Sequence, residues 1–586
     1  MNYNLLIGGA AGQGMDTLSS TLSKILQRRG YQIFTLQDYM SRVRGGHNFF
    51  QIRFSDKEVH THREDLDGII AFNQETLDLH IARLNEDGFI LADEDIKSDD
   101  PRLITLPSRE IAKEIGNPRV QSSVILGALL KLYTFDTDDS DVEEDIKDSE
   151  ETLHIAKSSY ENDLKFLNDI MSNLFNEEIV NQNVEAFNQG HDLVESKYEI
   201  KSGSSEKTML IQANEAIALG ALAGGLKFYS AYPMTPATSI MSYLVRKQKD
   251  AEIIVEQAED ELAAINMAIG GSYAGARSMT GTSGGGYSLM VEAVGMSGIM
   301  EVPVVIADIQ RPGPATGLPT RTEQSDLNFV INSSHGEFPR MVIALRNPED
   351  AFYQTARALN LADKYQIPVI ILGDQYMADA IRTVKPFDMS KIKIERHLAN
   401  PEDYMDGKKY RRYELTESGI SPRLIPGQVP GVNVNVDSDE HDEDGNITES
   451  AEVRNNMVHK RAKKFELLRK EVMEPKLIGE DNMDVLLLAW GSVESPITEA
   501  IELLNKDGDL KYGALVFGDI WPLPTKLLKE KYKNAKHIIN VEQNYNGQLK
   551  NLISQETGIR VTGSVNRYDG RPLSQNEIYK KVKEVL

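Results

Sequence analysis

The chain has 586 residues, no cysteine and a formal net charge of −25. Its length exceeds what one hydrophobic core supports, so we expect three or four domains. The negative charge argues against a nucleic-acid partner, because phosphate binding needs a basic surface. Without cysteine the chain can form neither disulfides nor thiolate-held zinc or iron–sulfur sites, so any redox chemistry must use an organic cofactor or a partner subunit.

The N-terminal sequence MNYNLLIGGAAGQG lacks the basic leader and apolar segment of a signal peptide. No window holds about 18 uninterrupted apolar residues, so we expect no membrane span and a cytoplasmic location. Much of the charge is local, because residues 136–151 contain ten acids and one lysine. We interpret this segment as a solvated insertion that cannot bury itself, in preference to an acidic docking arm.

The chain opens with an apolar run at residues 3–7, the glycine-rich turn GGAAGQGMD and a helical pattern that ends at Gly30. A strand, a glycine-rich turn and a helix are typical of α/β domains. Further strand-like runs follow at residues 31–36, 49–54, 68–73 and 88–93. The alternation predicts a mostly parallel sheet with helices on its faces. We predict that this domain covers residues 1–195, with the acidic insertion inside it, and that residues 196–207 are a linker.

A second α/β domain is predicted over residues 208–390. Its strands are expected at residues 226–232, 252–256, 276–282, 302–308, 341–345 and 368–373. Helical patterns between them indicate a buried parallel sheet. Residues 391–476 are polar and carry no pattern that assigns a domain. A third domain is predicted over residues 477–586, with strands at residues 485–490, 511–517 and 536–542.

Two glycine-rich segments are candidates for ligand contact. The glycines of GGAAGQG are spaced G-x-x-G-x-G, which reverses the inner spacing of the dinucleotide fingerprint, and no G-K-[ST] ending follows. A tight strand-to-helix turn and anion binding at the helix N-terminus both stay open for this segment. In TGTSGGGYSLM, three glycines follow Thr282 and Ser283, and we expect a helix from near Tyr287. These glycines allow either close backbone approach to a ligand or only a sharp turn.

The segment VEQAEDELAAINMAIGGSYAGA contains several acids at a strand-to-helix junction. The strand is expected to end near Glu256 and the helix to begin near Glu259, with three acids in its first turn. Acids there interact favourably with the helix dipole, which explains them without any function. However, the small residues that follow allow close packing on a neighbour, and a carboxylate at the head of such a helix can lie in a buried crevice. It would then be a candidate acid–base group.

These segments occur together in one family. The series YPMTPAT, EDELAAINMAIGGSYAGARSMTGTSGGGYSLM and VIADIQRPGPATGLPTRTEQSDL resembles the α subunit of 2-oxoacid:ferredoxin oxidoreductases. The N-terminal GGAAGQGMD and RVRGGHNFFQIRFSD resemble that family's γ domain, fused ahead of α, and GDIWPLP and VEQNYNGQL resemble the domain that follows. The resemblance implies an α/β fold of several parallel-sheet domains: a γ-type domain, a thiamine-diphosphate pyrimidine-binding-type domain and a transketolase C-terminal-like domain.

The resemblance implies an enzyme that oxidatively decarboxylates a 2-oxoacid to acyl-coenzyme A and carbon dioxide, and the layout favours 2-oxoglutarate. Thiamine diphosphate would supply the difficult chemistry, with coenzyme A as co-substrate and ferredoxin or a similar protein as electron acceptor. The family's G-D-G motif for magnesium diphosphate is absent here, as is cysteine. We therefore expect no metal site on this chain. A separate β subunit would hold the diphosphate, Mg²⁺ and a [4Fe–4S] cluster in an (αβ)2 heterotetramer, and this chain alone would be inactive.

The resemblance also implies roles for single residues. By its position in the motif, Glu261 corresponds to the carboxylate that contacts N1′ of the aminopyrimidine, ahead of its neighbours Glu256 and Glu259. Thr282 and Ser283 correspond to positions where the loop approaches the thiamine ring. Glu261 would thus be both a catalytic and a cofactor-binding residue.

The motif Y-P-[IM]-T-P carries the implied substrate contact. Thr235 corresponds to the substrate-contacting threonine, and Tyr232 and Pro233 lie beside the cofactor. Arg311 corresponds to an arginine near the substrate carboxylate, although without the family a surface arginine that leaves a strand would be the simpler interpretation. The residue types also predict Pro236 at the first helical position, with Thr235 as the N-cap.

Two alternatives stay open from the sequence. One is a non-catalytic nucleotide- or coenzyme A-binding regulatory protein on the same folds, and the other is a scaffold that acts through its acidic segments. Co-purification with a cysteine-containing partner that carries G-D-G would separate the enzyme from both.

Overall fold

The structure is a computed structural model that describes residues 1–40, 46–135, 160–200, 203–508 and 510–586. The predicted acidic insertion at residues 136–151 lies outside these ranges. The chain divides into two compact units. The first contains Met1–Ile211 and Ala380–Pro386, and the second contains Gln212–Asp379 and Phe387–Leu586.

The strands and α-helices of the first part of the chain come before the helix that opens the second unit. In chain order they are β1 (Asn2–Gly9), α1 (Met15–Arg28), β2 (Gln32–Asp38), β3 (Asn48–Ser55), β4 (Leu66–Ala71), α2 (Gln74–His80), β5 (Leu84–Asp93), β6 (Leu103–Leu106), α3 (Ser108–Glu114), α4 (Gln121–Leu132), β7 (Tyr133–Phe135), α5 (Tyr160–Ser172), α6 (Glu177–Asp192), β8 (Tyr198–Ile200) and β9 (Met209–Gln212). Strand β8 lies within the predicted linker and pairs in parallel with β7.

The next elements up to the return into the first unit are α7 (Ala213–Ala223), β10 (Phe228–Ala231), α8 (Thr238–Lys247), β11 (Ile254–Gln257), α9 (Glu261–Tyr273), β12 (Ser278–Thr282), α10 (Gly284–Met300), β13 (Val304–Gln310), α11 (Leu327–Asn332), β14 (Met341–Ala344), α12 (Pro348–Tyr365), β15 (Pro368–Asp374), α13 (Gln375–Asp379) and β16 (Ile381–Val384). The remaining elements are α14 (Ala451–Leu468), β17 (Lys476–Gly479), β18 (Val485–Trp490), α15 (Glu494–Lys506), β19 (Tyr512–Phe517), β20 (Asp519–Trp521), α16 (Lys526–Tyr532), β21 (His537–Glu542), α17 (Gln548–Thr557), β22 (Gly563–Asn566) and α18 (Gln575–Val585).

The first unit is built on an eight-stranded sheet in the order β6-β5-β4-β1-β3-β2-β16-β9. Strands β1, β4, β5 and β6 pair in parallel, whereas β1 with β3, β3 with β2, and β2 with β16 pair antiparallel. The connection between Asp38 and Asn48 is too short for a parallel crossover, which needs about a dozen residues. The predicted parallel pairing therefore holds for one half of this sheet.

The glycine-rich turn between β1 and α1 has a conformational explanation. Gly12 and Gly14 have φ angles of 90° and 89°, a region that L side chains rarely adopt. Gly14 is also the N-cap of α1, which has no side-chain cap. The turn therefore requires glycine at these two positions whether or not a ligand binds there.

The second unit contains two further sheets. The seven-stranded sheet has the order β11-β10-β12-β13-β15-β14-β20 and is parallel except for the edge pair β14–β20. The five-stranded sheet has the order β17-β19-β18-β21-β22, with only β17 antiparallel. One hydrophobic cluster includes residues of both sheets, among them Ile306 and Leu488. The predicted α/β class with mainly parallel sheets is confirmed.

Buried ion pairs attach residues 391–476 to the rest of the second unit. Sequence patterns leave this polar region unassigned. Apart from α14 it consists mostly of turns and extended segments. Lys460 and Lys464 both donate to the carboxylate of Glu301, and all three side chains are only 1% exposed. Arg423 donates to Asp363 at 2.6 Å, which adds a second buried fastening.

Candidate active site

Several predicted site residues meet at the carboxyl edge of the seven-stranded sheet. Strands β10, β12 and β13 are parallel neighbours, so their C-terminal ends lie at the same edge. Tyr232 and Pro233 directly follow β10, Ser283 follows β12, and Arg311 follows β13. Ligands of open α/β sheets bind outside this edge, which makes it the candidate active site.

Glu261 is the buried acid of this edge. It is the first residue of α9, where Asp260 is the N-cap and accepts a 2.7 Å hydrogen bond from the Ala263 N–H. The Glu261 side chain is 3% exposed, and its Oε1 has no hydrogen-bond partner in the described part of the chain. Its neighbours Glu256 and Glu259 are both exposed. Burial therefore distinguishes Glu261 from the two competing acids, and an unpartnered buried carboxyl oxygen is available to a ligand.

The glycines that follow β12 form the first turn of α10. The helix begins at Gly284 with Ser283 as the N-cap, so the expectation of a helix from Tyr287 was wrong by three residues. A methyl group at Gly286 would overlap Thr282 Oγ1 and come within 2.5 Å of Glu261 Oε1. Glycine at this position therefore lets the helix approach the two side chains closely. The side chains of Thr282 and Ser283 are fully buried, and Ser283 Oγ has no hydrogen-bond partner among the described residues.

The Thr235 segment differs from the prediction. Helix α8 begins at Thr238 with Ala237 as its N-cap and has no side-chain cap. A turn closed by the hydrogen bond from Thr238 N–H to Met234 O at 3.1 Å precedes the helix, and the Thr235–Pro236 peptide is cis. The predicted capping role of Thr235 was therefore wrong, because the chain makes this turn before the helix starts.

Arg311 and Thr235 are in direct contact. Arg311 Nη1 donates a 2.6 Å hydrogen bond to the main-chain oxygen of Thr235. Burial lowers the pKa of the half-buried Arg311 guanidinium, while the charge of Asp326 acts in the opposite direction. Nearby, Tyr232 is 41% exposed and Pro233 is half-buried, so the site is open to solvent on this side.

Two further carboxyl groups lie at this edge that sequence reasoning missed. Asp308 is fully buried on β13 beside Thr282 in the sheet register, and neither of its carboxyl oxygens has a hydrogen-bond partner in the described ranges. Asp326 packs its Oδ2 against Gly284, the first residue of α10. An acid at the end of the buried apolar strand VPVVIAD was the signal that could have revealed Asp308.

Burial is the main cause of the raised pKa values of the acids at this edge. It raises the pKa of Asp326 to about 6 and the pKa of half-buried Glu323 to about 7, and the charge of Asp326 adds to the effect on Glu323. Burial, and then repulsion from Asp326, raises the pKa of Asp308 well above its usual range. Such perturbed carboxyl groups beside a cleft are typical of functional sites.

Within the described ranges, no cluster of three or more His, Asp or Glu side chains could hold a metal ion. The described helices include none that is long and apolar enough to cross a membrane.

Three family models match successive parts of the chain. Residues 4–193 match pyruvate ferredoxin/flavodoxin oxidoreductase. Residues 219–460 match the thiamine-diphosphate-binding domain of pyruvate flavodoxin/ferredoxin oxidoreductase. Residues 483–578 match core domain II of pyruvate:ferredoxin oxidoreductase.

Full-length relatives share this arrangement. The 2-oxoacid:ferredoxin oxidoreductase subunit alpha of a Sulfolobus species is 34% identical over 100% of this chain and 97% of its own length. The solved 2-oxoglutarate:ferredoxin oxidoreductase of Magnetococcus marinus, with 2-oxoglutarate, coenzyme A and succinyl-CoA bound, superposes with a TM-score of 0.88. It is 30% identical and covers 100% of this chain and 99% of its own. The 2-oxoglutarate synthase subunit KorA of Methanothermobacter marburgensis is 27% identical over 64% of this chain and 97% of its own.

The fold and these matches define an oxidoreductase subunit with a thiamine-diphosphate-binding domain. The chain belongs to the family of 2-oxoacid:ferredoxin oxidoreductase α subunits. The resemblance inferred from the sequence motifs is thereby confirmed, and so is the enzyme class. The roles of individual site residues and the exact domain boundaries stay predictions.

Proposed function

We propose that this chain supplies the pyrimidine half of a thiamine diphosphate site in an enzyme that oxidatively decarboxylates a 2-oxoacid to acyl-coenzyme A and carbon dioxide. 2-Oxoglutarate is the favoured substrate, because the Magnetococcus marinus relative was solved with it bound and the KorA relative is named for it. The observation that carries the proposal is the buried Glu261 carboxyl with its unpartnered Oε1 at the edge of the sheet.

The residues around Glu261 fit an aminopyrimidine. A buried carboxyl oxygen without a partner would accept a hydrogen bond from a ring nitrogen, which removes the cost of leaving that oxygen unsatisfied. When bound, thiamine diphosphate supplies carbanion chemistry and an electron sink that side chains lack. Glu261 would hold the proton at N1′, while the buried Thr282 and Ser283 would border the ring. The exposed Tyr232 and the neighbouring Pro233 would line the open side.

Thr235 and Arg311 are the proposed substrate-binding pair. The main-chain oxygen of Thr235 holds one end of the Arg311 guanidinium, which leaves its other N–H groups available to a carboxylate. A guanidinium pairs strongly with a carboxylate in a partly buried site. We therefore assign the carboxylate of the 2-oxoacid to Arg311 and a polar contact to Thr235.

A partner subunit is needed to complete this site. Leu262, Met267 and Leu289 on the mostly apolar helices α9 and α10 are 47%, 42% and 48% exposed. Apolar helices with exposed leucine and methionine are expected at an interface. We propose that a β subunit covers this face and carries the diphosphate, Mg²⁺ and [4Fe–4S] sites, in an (αβ)2 complex of the cytoplasm that reduces ferredoxin.

The domain boundaries belong to the same proposal. Residues 1–195 would be the γ-type domain, 208–390 the pyrimidine-binding domain and 477–586 the transketolase C-terminal-like domain. The three family models, which cover residues 4–193, 219–460 and 483–578, support this order. Residues 381–384, however, form β16 in the sheet of the first unit, so the second boundary would lie a few residues earlier in a structural definition.

The proposal is tested on the complex rather than on the isolated chain. The chain is co-expressed with its β subunit, and coenzyme A-dependent reduction of a viologen dye is measured with a panel of 2-oxoacids. We expect the highest kcat/KM with 2-oxoglutarate and no turnover by this chain alone. A complex that contains thiamine diphosphate and an intact cluster but turns over no 2-oxoacid would refute the proposed function.

A further inference from the structure

The carboxyl edge of the seven-stranded sheet holds more acid than its one guanidinium can neutralise. Arg311 is the cation, and Asp308, Asp326 and Glu323 are the carboxyl groups that lie with it. Both oxygens of Asp308 and Oδ2 of Asp326 are buried and have no hydrogen-bond partner in the part of the chain that the structure describes. Buried carboxylates that lack a partner are costly to ionise, so these groups cannot all be charged at once.

The backbone fixes Asp326 in its place. Its main-chain N–H donates a 3.0 Å hydrogen bond to Gln310 Oε1, which is on β13 next to Arg311. Its Oδ2 packs against Gly284, where a methyl group would overlap it, and its Oδ1 lies 3.4 Å from Ser325 Oγ. The carboxyl therefore faces the head of α10, between the strand end that carries Arg311 and the helix that borders Thr282.

We propose that Asp308 on β13 and Asp326, whose N–H binds Gln310 two residues further along β13, hold a single proton between them, and that binding of a 2-oxoacid carboxylate to Arg311 drives the pair to take up a second proton from solvent. Asp326 is then a positioning residue that sets how substrate affinity depends on pH. The inference rests on the proposed function, because it requires that Arg311 binds the substrate carboxylate. Only a proton is taken up, and no other covalent bond changes. Its positive charge offsets the negative charge of the bound carboxylate, so the net charge of the site stays the same.

The direction of the pH dependence follows from the charges. The charged group facing the pair from the strand end is Arg311, and Tyr287 of α10 has a pKa raised by burial and by Asp308. The other carboxyl groups around the pair are Glu323, Asp374 at the end of β15 beside Gln310, and Glu261 beside the first turn of α10. Asp326, whose pKa lies near 6, is ionised above that pH and neutral below it. Above pH 6 the substrate carboxylate therefore meets a like charge, and below pH 6 it does not. KM for the 2-oxoacid should rise by roughly 20-fold between pH 5.5 and 7.5, as uptake of nearly one proton by a group with a pKa near 6 requires.

The test uses the complete complex and the variant Asp326→Asn, which keeps the shape of the side chain. We expect KM of the variant to depend much less on pH than that of the native complex, with the remaining dependence due to Glu323, while kcat changes less than KM. Glu502→Gln on the exposed face of α15, away from the proposed β-subunit face, is the matched control and should keep the native profile. A purely structural role of Asp326 would lower kcat or stability without removing the pH dependence of KM.

Proton uptake is the second readout and needs no variant. Glutarate, which has the carboxylates of 2-oxoglutarate but no reacting carbonyl, is titrated into the native complex by calorimetry in two buffers of different ionisation enthalpy. We expect uptake approaching one proton at pH 7 and little uptake at pH 5. Glutarate binding without proton uptake at pH 7, or an Asp326→Asn profile identical to the native one, would overturn the inference. Absence of 2-oxoacid turnover by the native complex would instead overturn the proposed function.

Discussion

Adding a methyl group at Gly286 would disturb the packing of the Glu261 carboxyl directly. Gly286 lies in the first turn of α10, where the Thr282 hydroxyl and the Glu261 carboxyl pack against it. Its φ angle is not positive, so alanine fits the backbone there and the effect comes only from the added methyl. Gly286→Ala therefore tests whether the position of the Glu261 carboxylate matters for turnover.

The magnitude follows from the contact distances. The new methyl would overlap Thr282 Oγ1 and lie 2.5 Å from Glu261 Oε1, whereas ordinary van der Waals contact begins at 3.4 Å, so the first turn of α10 and these two side chains must move apart by about 1 Å. A misplacement of about 1 Å can reduce turnover about 100-fold. Overpacking would cost about 1–3 kcal/mol of stability, partly offset by the better helix propensity of alanine, about 1 kcal/mol.

The assay is viologen reduction by the reconstituted complex, with thermal unfolding measured on the same samples. Gly270→Ala is the matched control, because Gly270 lies in α9 and a methyl there meets nothing within 4 Å. The control should gain about 0.5–1 kcal/mol of stability. Because Gly270 is exposed on the proposed β-subunit face, the activity of this variant is compared only in complexes whose assembly has been verified. Native kcat in a folded Gly286→Ala complex would refute the assignment of Glu261, since its carboxylate would have been displaced without consequence.

Two stability predictions concern Glu301, which lies outside the site, and Asp374, which ends β15 at the same sheet edge as the site. Glu301→Gln leaves Lys460 and Lys464 as unpaired buried cations, so we expect a loss of about 3–5 kcal/mol, measured as a lower denaturation midpoint. Asp374 is fully buried beside Ser492, and burial raises its pKa from 3.8 to about 6. The native state therefore favours the protonated carboxyl. The free energy of unfolding is highest below pH 3.8 and falls by about 3 kcal/mol as the pH rises through 6. Asp374→Asn should remove this loss and unfold at a higher temperature than the native chain at pH 7.

Exposed acids serve as controls for these two predictions. Glu466→Gln removes a carboxylate that is 74% exposed on the same helix as the two lysines and should change stability by less than about 0.5 kcal/mol. Asp406→Asn, at an exposed position, should leave the pH dependence of unfolding as it is in the native chain. If stability depended on pH in the same way in Asp374→Asn and in the native chain, the Asp374 carboxyl would not be the source of the predicted loss of stability above pH 3.8.

The sequence was a good guide to the fold wherever hydrophobic runs alternate with helical patterns. The strands of the pyrimidine-binding region, from β10 to β15, all lie within a few residues of their predicted positions. The pairing of residues 381–384 with the sheet of the first unit was not predictable, because it joins segments far apart in the chain. The placement of residues 391–476 could not be predicted for a similar reason. Ion pairs such as Arg423–Asp363 attach this region to distant parts of the chain, and such pairs produce no periodic sequence pattern.

The candidate site was predicted in part. Family motifs placed Thr235, Glu261 and Arg311, but they could not separate Glu261 from neighbouring acids on physical grounds, which burial now does. The approach of Asp326 to the strand that carries Asp308 depends on a loop that returns to the sheet edge, and no local sequence pattern predicts such a return. The head of α10 was misplaced because glycine usually marks a turn, whereas here it allows the helix to pack closely.

The most direct test of the central claim compares Glu261→Gln with Glu259→Gln in the reconstituted complex. Both substitutions keep the size of the side chain, and Glu259 is exposed two residues before the buried Glu261. We predict that Glu261→Gln lowers kcat for 2-oxoacid-dependent viologen reduction by about 100-fold or more, while Glu259→Gln stays within about twofold of the native complex. Native turnover by a folded Glu261→Gln complex that has bound thiamine diphosphate would contradict the account.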